Sequence, residues 1–282
     1  VQTCALPISQ VTRTKNFDSA KFTYKPPRIN KRGGKNIYVQ YEGHNLYLQF
    51  PNIKTWGVNE RVDEDTGRIS YDLSLQWGTA DESTKEGKFL KVLQTIEDKV
   101  LDDASAHSKE WFGKSKMSRD VAENLMYPIL KYPKDKKTGE LDHDRFPTVK
   151  AKLPYWDNKF NLELYDMDKK PLFGGGVDTT ETPLSLVPSG SFLKGIIECA
   201  GVWFVGGRFG VSWRLIQAQV RQPVRIKGFC MVSDSEDDDE GVSQVAAAAV
   251  MMESSDSEDN DEPPQPKKKP VRRKKKVVKA SS

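Results

Sequence analysis

The sharpest pattern in the chain is an alternation over Ile69–Trp77. Ile69, Tyr71, Leu73, Leu75 and Trp77 share one parity and Ser70, Asp72, Ser74 and Gln76 the other. Successive side chains of a strand point to opposite faces, so this stretch predicts a half-buried strand. Upstream, Ile37–Tyr41 and Leu46–Phe50 read as two shorter strands around Glu42-Gly43, with Pro51 closing the pair. Downstream the period changes to three and four. Phe89, Leu93, Ile96, Val100, Ala104, His107 and Trp111 form the stripe of an amphipathic helix within Thr84–Gly113. His107 reads as a packing residue on that stripe, since no second His or Cys stands one turn away. A shorter helix starts at Ser118 as N-cap and runs towards Tyr127, where Pro128 stops it.

Strands return near Thr148–Leu153 and Phe160–Tyr165, and the turn-rich Asp166–Pro188 reads as a connection. Two long β-branched and aromatic runs follow, Phe192–Val205 and Phe209–Val220, joined by Gly206-Gly207-Arg208. Glycines between such runs signal a hairpin, because they accept the positive φ of a tight turn. A last short strand is expected near Arg225–Val232. Helices set between strands predict a mainly β domain over 35–232. Its expected form is an OB-fold-like barrel with a long helical insertion near 84–127, since a simple sandwich would not hold so long a helix.

The flanks read differently. Residues 1–8, VQTCALPI, resemble a translated sequencing-library adapter and are set aside as a scar. Residues 9–34 are polar and basic and read as an irregular arm. It is either a solvated leader or a strap bringing Lys25, Arg28, Lys31 and Arg32 to a phosphate track. Residues 233–282 combine SDSEDDDE, SSDSEDNDE and a final KKKPVRRKKKVVK, a composition that predicts a disordered acidic then basic tail. Ser233, Ser235, Ser254, Ser255 and Ser257 precede carboxylates in the pattern acidophilic kinases accept. The terminal basic cluster is of nuclear-import or nucleic-acid-binding type.

The overall charge of +4 divides into about −3 in that tail and about +7 in the body, which suits a polyanionic partner. Catalytic chemistry finds little purchase. His44, His107 and His143 have no metal spacing, and Asp166-Met167-Asp168 and Asp142-His143-Asp144 read as turns. Gly206-Gly207-Arg208-Phe209-Gly210 lacks the Lys-Ser/Thr of a phosphate-binding loop and opens a strand. No enzyme activity, catalytic residue, metal or cofactor is therefore expected. Cys4, Cys199 and Cys230 suit a reducing compartment, and Gly195–Val205 is too short and too charged to cross a membrane.

Two stretches interleave cations with rings. One runs from Lys131 to Phe160 and contains Lys131, Lys134, Lys150, Lys152, Trp156 and Lys159; the other holds Trp203, Arg208, Phe209, Trp213 and Arg214. Rings to stack bases beside cations for phosphates is what a single-strand nucleic-acid groove requires. The plainer reading is a lysine-rich loop and a core hairpin whose rings pack inward. Trp203 and Phe204 fall on opposite faces, so one of the two is expected to reach a ligand.

The run WFVGGRFGVSW within Cys199–Val220, followed by an acidic tail, resembles the single-stranded DNA-binding proteins of nucleocytoplasmic large DNA viruses, over roughly 35–231. Those are similar in turn to single-stranded DNA-binding proteins of short-tailed phages. The resemblance implies an OB fold and sequence-independent binding of single-stranded DNA in viral replication, repair or recombination. It implies an intracellular setting, in the host nucleus or a cytoplasmic replication site. It also implies a tail that recruits a replicative DNA polymerase or other replication proteins, and it allows a homodimer. The basic terminus departs from the phage pattern. A histone-chaperone-type interaction protein and a structural virion protein are the competing readings.

Overall fold

The computed structural model describes residues 7–29 and 33–224. Five strands carry the fold: β1 (Tyr47–Val62), β2 (Ile69–Gln76), β3 (Thr148–Leu153), β4 (Phe192–Val205) and β5 (Arg208–Arg221). β1 pairs antiparallel with both β2 and β4. β2 pairs antiparallel with β3, β3 parallel with β5, and β5 antiparallel with β4. The circuit 1-2-3-5-4-1 closes on itself, giving a five-stranded OB-like barrel.

Alternation decides what fills it. Leu73, Ala151, Trp213 and Cys199 are register partners from strand to strand around the ring, and all are buried. The opposite parity of the same strands, Asp72, Lys152, Arg214 and Glu198, points out of the barrel.

Pro51 does not close a strand; β1 runs through it for 16 residues. Phe50 faces Gly195 and Ile53 faces Leu193, so β1 carries one extra residue there. The missing N–H of proline thus falls at a bulge, where no ladder bond is lost.

The helical insertion lies between β2 and β3: α1 (Lys85–Ala106), α2 (Ser108–Phe112) and α3 (Arg119–Leu125). The Thr84 hydroxyl caps α1 by accepting from Gly87 N, and Ser118 caps α3 by accepting from Val121 N. Phe89, Leu93, Ile96, Val100, Ala104 and Trp111 are buried as the stripe requires, with Phe89 stacked on Trp77. His107 is the exception. It is exposed and ends α1, and its ring stacks on Trp111 at 5.9 Å.

The expected strand Phe160–Tyr165 is two elements. Lys159–Phe160 pairs with Tyr155–Trp156 across a tight turn, while Glu163–Tyr165 joins β5 and Pro171–Phe173. Asp157 and Asn158 take positive φ in that turn, the conformation a two-residue hairpin needs. The connection 166–188 also contains a short helix, Pro183–Leu186.

The described residues of the 9–34 arm form short paired strands where an irregular arm was expected. Val11–Arg13 adds to β1 in parallel, Phe22–Tyr24 pairs with Val39–Tyr41, and Arg28–Ile29 pairs with Lys35–Ile37. Phe22 is buried, and the Tyr24 hydroxyl donates to Asp103 Oδ2 of α1 at 2.7 Å. Burial and that neighbouring carboxylate push the Tyr24 pKa far up. Apolar anchors spaced among the basic residues pin the arm to the barrel and helix.

Lys31, Arg32, the strand expected near Arg225–Val232 and the whole tail, with its five candidate serines, lie outside the described residues. No described helix is long and apolar enough to cross a membrane.

Candidate nucleic-acid interface

The outward face of β2, β3 and β5 is where cations gather. Lys150 stands opposite Ser74, and Lys152 opposite Asp72 on one side and Arg214 on the other. Arg61, from the outer end of β1, reaches over the same face and donates from Nε to Asp72 Oδ2 at 2.6 Å. Lys150 Nζ lies 3.3 Å from that oxygen. Arg214 pairs at 3.6 Å with Glu198, which is also held by the Asn45 amide at 2.9 Å. Buried carboxylates with polar partners thus fix the roots of otherwise flexible cations.

Lys152 is the most crowded of them. Its side chain reaches solvent, yet partial burial and the Arg68, Lys150 and Arg214 cations hold its pKa below that of an ordinary lysine. A polyanion laid here would relieve that repulsion.

Rings adjoin the cations. Tyr127 leaves α3 on a two-residue strand, Met126–Tyr127, which adds to β5 in parallel at Phe209 and Gly210. Its ring is 43% exposed and lies 6.1 Å from that of Trp203, which is half-buried. Lys131 sits 4.2 Å over the Tyr127 ring and donates to its hydroxyl at 2.7 Å. That hydrogen bond, with the positive charges of Lys131, Lys150 and Arg61, draws the phenol pKa below its usual value. Stacking surface and a positive field therefore occupy one side of the barrel.

The structure brings together Lys131, Lys150, Lys152, Trp203 and Arg214 of the sequence-derived set. Lys134, Trp156, Lys159 and Arg208 are exposed at hairpin turns: Lys134 near the Asp135–Gly139 turn, Trp156 and Lys159 flanking Asp157-Asn158, and Arg208 at the β4–β5 turn.

Phe209 and Trp213 are corrections. They are 0% and 2% exposed, on the barrel side of β5, and have no ring face to offer a base. Phe204 also turns inward, against Phe112 and Phe209, which leaves Trp203 as the outward ring of its pair.

Tyr127, Arg61 and Arg68 were not singled out from sequence. Tyr127 has a lysine four residues on; Arg61 pairs with Ser70 across the β1–β2 hairpin, and Arg68, two residues before Ser70, shares its parity.

Comparison with known proteins adds the following. No family model matches the chain, and no curated protein matches it. Among solved structures it is similar to the single-stranded DNA-binding protein from bacteriophage Enc34 in complex with ssDNA. That match has 12% identity and TM-score 0.40, over 72% of this chain and 98% of that one. It is similar also to a C-terminal truncation of that protein (11%, TM-score 0.38, 74% and 99%) and to the same protein alone (13%, TM-score 0.38, 76% and 98%). The reading of the site below rests on its own geometry.

Proposed function

We propose that the chain binds single-stranded DNA without sequence preference, across the outward face of β2, β3 and β5. One observation carries the reading: exposed Tyr127 and half-buried Trp203 adjoin a face that carries Lys131, Lys150, Lys152, Arg61, Arg68 and Arg214. On an OB barrel this second-and-third-strand side, with the flanking loops, is where oligonucleotides bind. Every base has a π-face, so stacking tolerates any sequence, and those faces are free only when the strand is unpaired. Phosphates would displace counterions from the cations, which makes affinity fall with salt.

The resemblance of the WFVGGRFGVSW segment supports placing this binding in the replication, repair or recombination of a viral genome. On charge alone, the acidic blocks of 233–262 would compete with phosphates for the face and recruit basic partners such as replication proteins. Titration of the full chain with a fluorescein-labelled oligothymidine at several salt concentrations tests the reading. Saturable, salt-sensitive binding that a duplex competes for poorly is expected. Indifference to oligothymidine would overturn it.

A further inference from the structure

We propose that a cleft beside this face, between Trp56 and Phe146, is a second base-binding site that takes one unpaired base of the same strand. This rests on the single-strand reading above. The cleft has a volume of about 460 Å³ and is lined by Trp56, Gln76, Lys131, Tyr132, Phe146 and Thr148, with Arg145 and Asp144 at its rim.

Trp56 is 53% exposed and Phe146 39% exposed, and both line the one cleft, an open apolar patch rimmed by polar groups of the kind that marks ligand-binding grooves. Neither ring is needed by the core. Lys54 lies 4.4 Å over the Trp56 ring, a cation–π contact on one of its faces. The Gln76 amide donates to the carbonyls of Phe146 and Pro147 at 3.2 and 3.4 Å, which fixes the backbone of the opposite wall. Tyr132 is braced in turn by His143, with ring centroids 4.5 Å apart. Two walls with a polar floor form a slot for a flat group.

Charge selects the kind of flat group. Lys131 and Arg145 are offset by Asp144, so the cleft itself is only weakly positive. That suits a base and leaves the phosphates to the neighbouring cations. Thr148 in its floor and Lys152 lie on the same outward parity of β3, four residues or roughly 13 Å apart. Lys131 belongs to both places: it lines the cleft and holds the Tyr127 hydroxyl. One extended strand can therefore cross Tyr127 and Trp203 and end in the cleft.

The test compares the full-length protein with Trp56→Ala, Trp56→Phe, Phe146→Ala and Tyr127→Ala, by anisotropy with labelled oligothymidines of 4 to about 20 nucleotides. Wild-type affinity should rise with length and then level off. Trp56→Ala and Phe146→Ala should each lose about five- to a hundredfold on the longest oligomer. They should also level off at a shorter length, while Trp56→Phe restores most of the loss. Tyr127→Ala should weaken every length. If Trp56→Ala and Phe146→Ala bind the longest oligomer as wild type does while Tyr127→Ala is weakened, the cleft assignment is wrong and the face survives. If wild type binds no length, both readings go.

Discussion

The Trp203 ring lies across Gly210, its register partner on the adjacent strand. A Cβ built on Gly210 would stand 2.8 Å from Trp203 Cζ2 and 3.1 Å from Tyr127 Cβ. Space, and not backbone conformation, calls for glycine here. The bare backbone leaves room for the Trp203 ring over the strand beside Tyr127, the two rings tilted at 54° to each other. Gly210→Ala should still fold, because the displaced atoms belong to a half-exposed side chain. Its cost should be about 1–3 kcal/mol, the range of overpacking, read from urea unfolding. Oligothymidine affinity should fall by about fivefold or more. Unchanged affinity would separate Trp203 from the DNA path.

Asp72 lies buried under the cationic face, covered by Arg61 and Lys150. Asp72→Asn keeps its shape and removes its charge. Arg61 remains well hydrated, so the loss of stability should be modest, about 1–2 kcal/mol. Freed of a competing anion, the face should bind oligothymidine severalfold more tightly at low salt, with the difference closing at high salt. Weaker binding at low salt would instead mean that Asp72 is needed to aim Arg61 and Lys150.

Much of this fold was legible because single-parity patterns are strong. The Ile69–Trp77 alternation predicts a strand observed over Ile69–Gln76, and the Gly206-Gly207 turn joins the two 14-residue strands β4 and β5 as expected. The same logic, applied along β5, separates Phe209, Val211, Trp213 and Leu215 from Arg208, Gly210, Ser212 and Arg214. Phe209 and Trp213 therefore belong to the barrel interior although cations stand beside them in sequence, since neighbours along a strand point to opposite faces. Tyr127 has Lys131 four residues on, but that spacing does not encode its place on the face, which depends on a two-residue strand added to a partner more than eighty residues away. The basic arm misled in the same way, since Phe22 and Tyr24 find their partners on the barrel and on α1.

The cations should be separable by salt. Each lysine that meets a phosphate contributes about 0.7 to the slope of log affinity against log salt on a single strand. Lys150→Ala and Lys152→Ala should each flatten the slope by roughly that amount. Lys134→Ala, at an exposed hairpin turn, should leave it unchanged. Lys152→Ala should also cost no stability at neutral pH, because crowding already disfavours its charged form in the folded state. Equal slopes for all three variants would remove the strand face as the phosphate track.

Glu97 connects the helical insertion to the segment that carries Tyr127 and Lys131. From α1 its carboxylate accepts from Leu130 N at 3.3 Å, and burial raises its pKa to about 7, helped by Asp98 and Glu123 nearby. The folded value lies above the unfolded one, so the proton is bound more tightly in the folded state. Glu97 therefore contributes stability that is complete below about pH 4.5 and is lost as pH rises through about 7. The full effect is of the order of 3 kcal/mol. Glu97→Gln stays neutral throughout and keeps a carbonyl to accept from Leu130 N. Its melting temperature should match wild type near pH 4 and exceed it at pH 8. Parallel stability profiles for the two proteins between pH 4 and 8 would show that the carboxylate is more hydrated than its position implies.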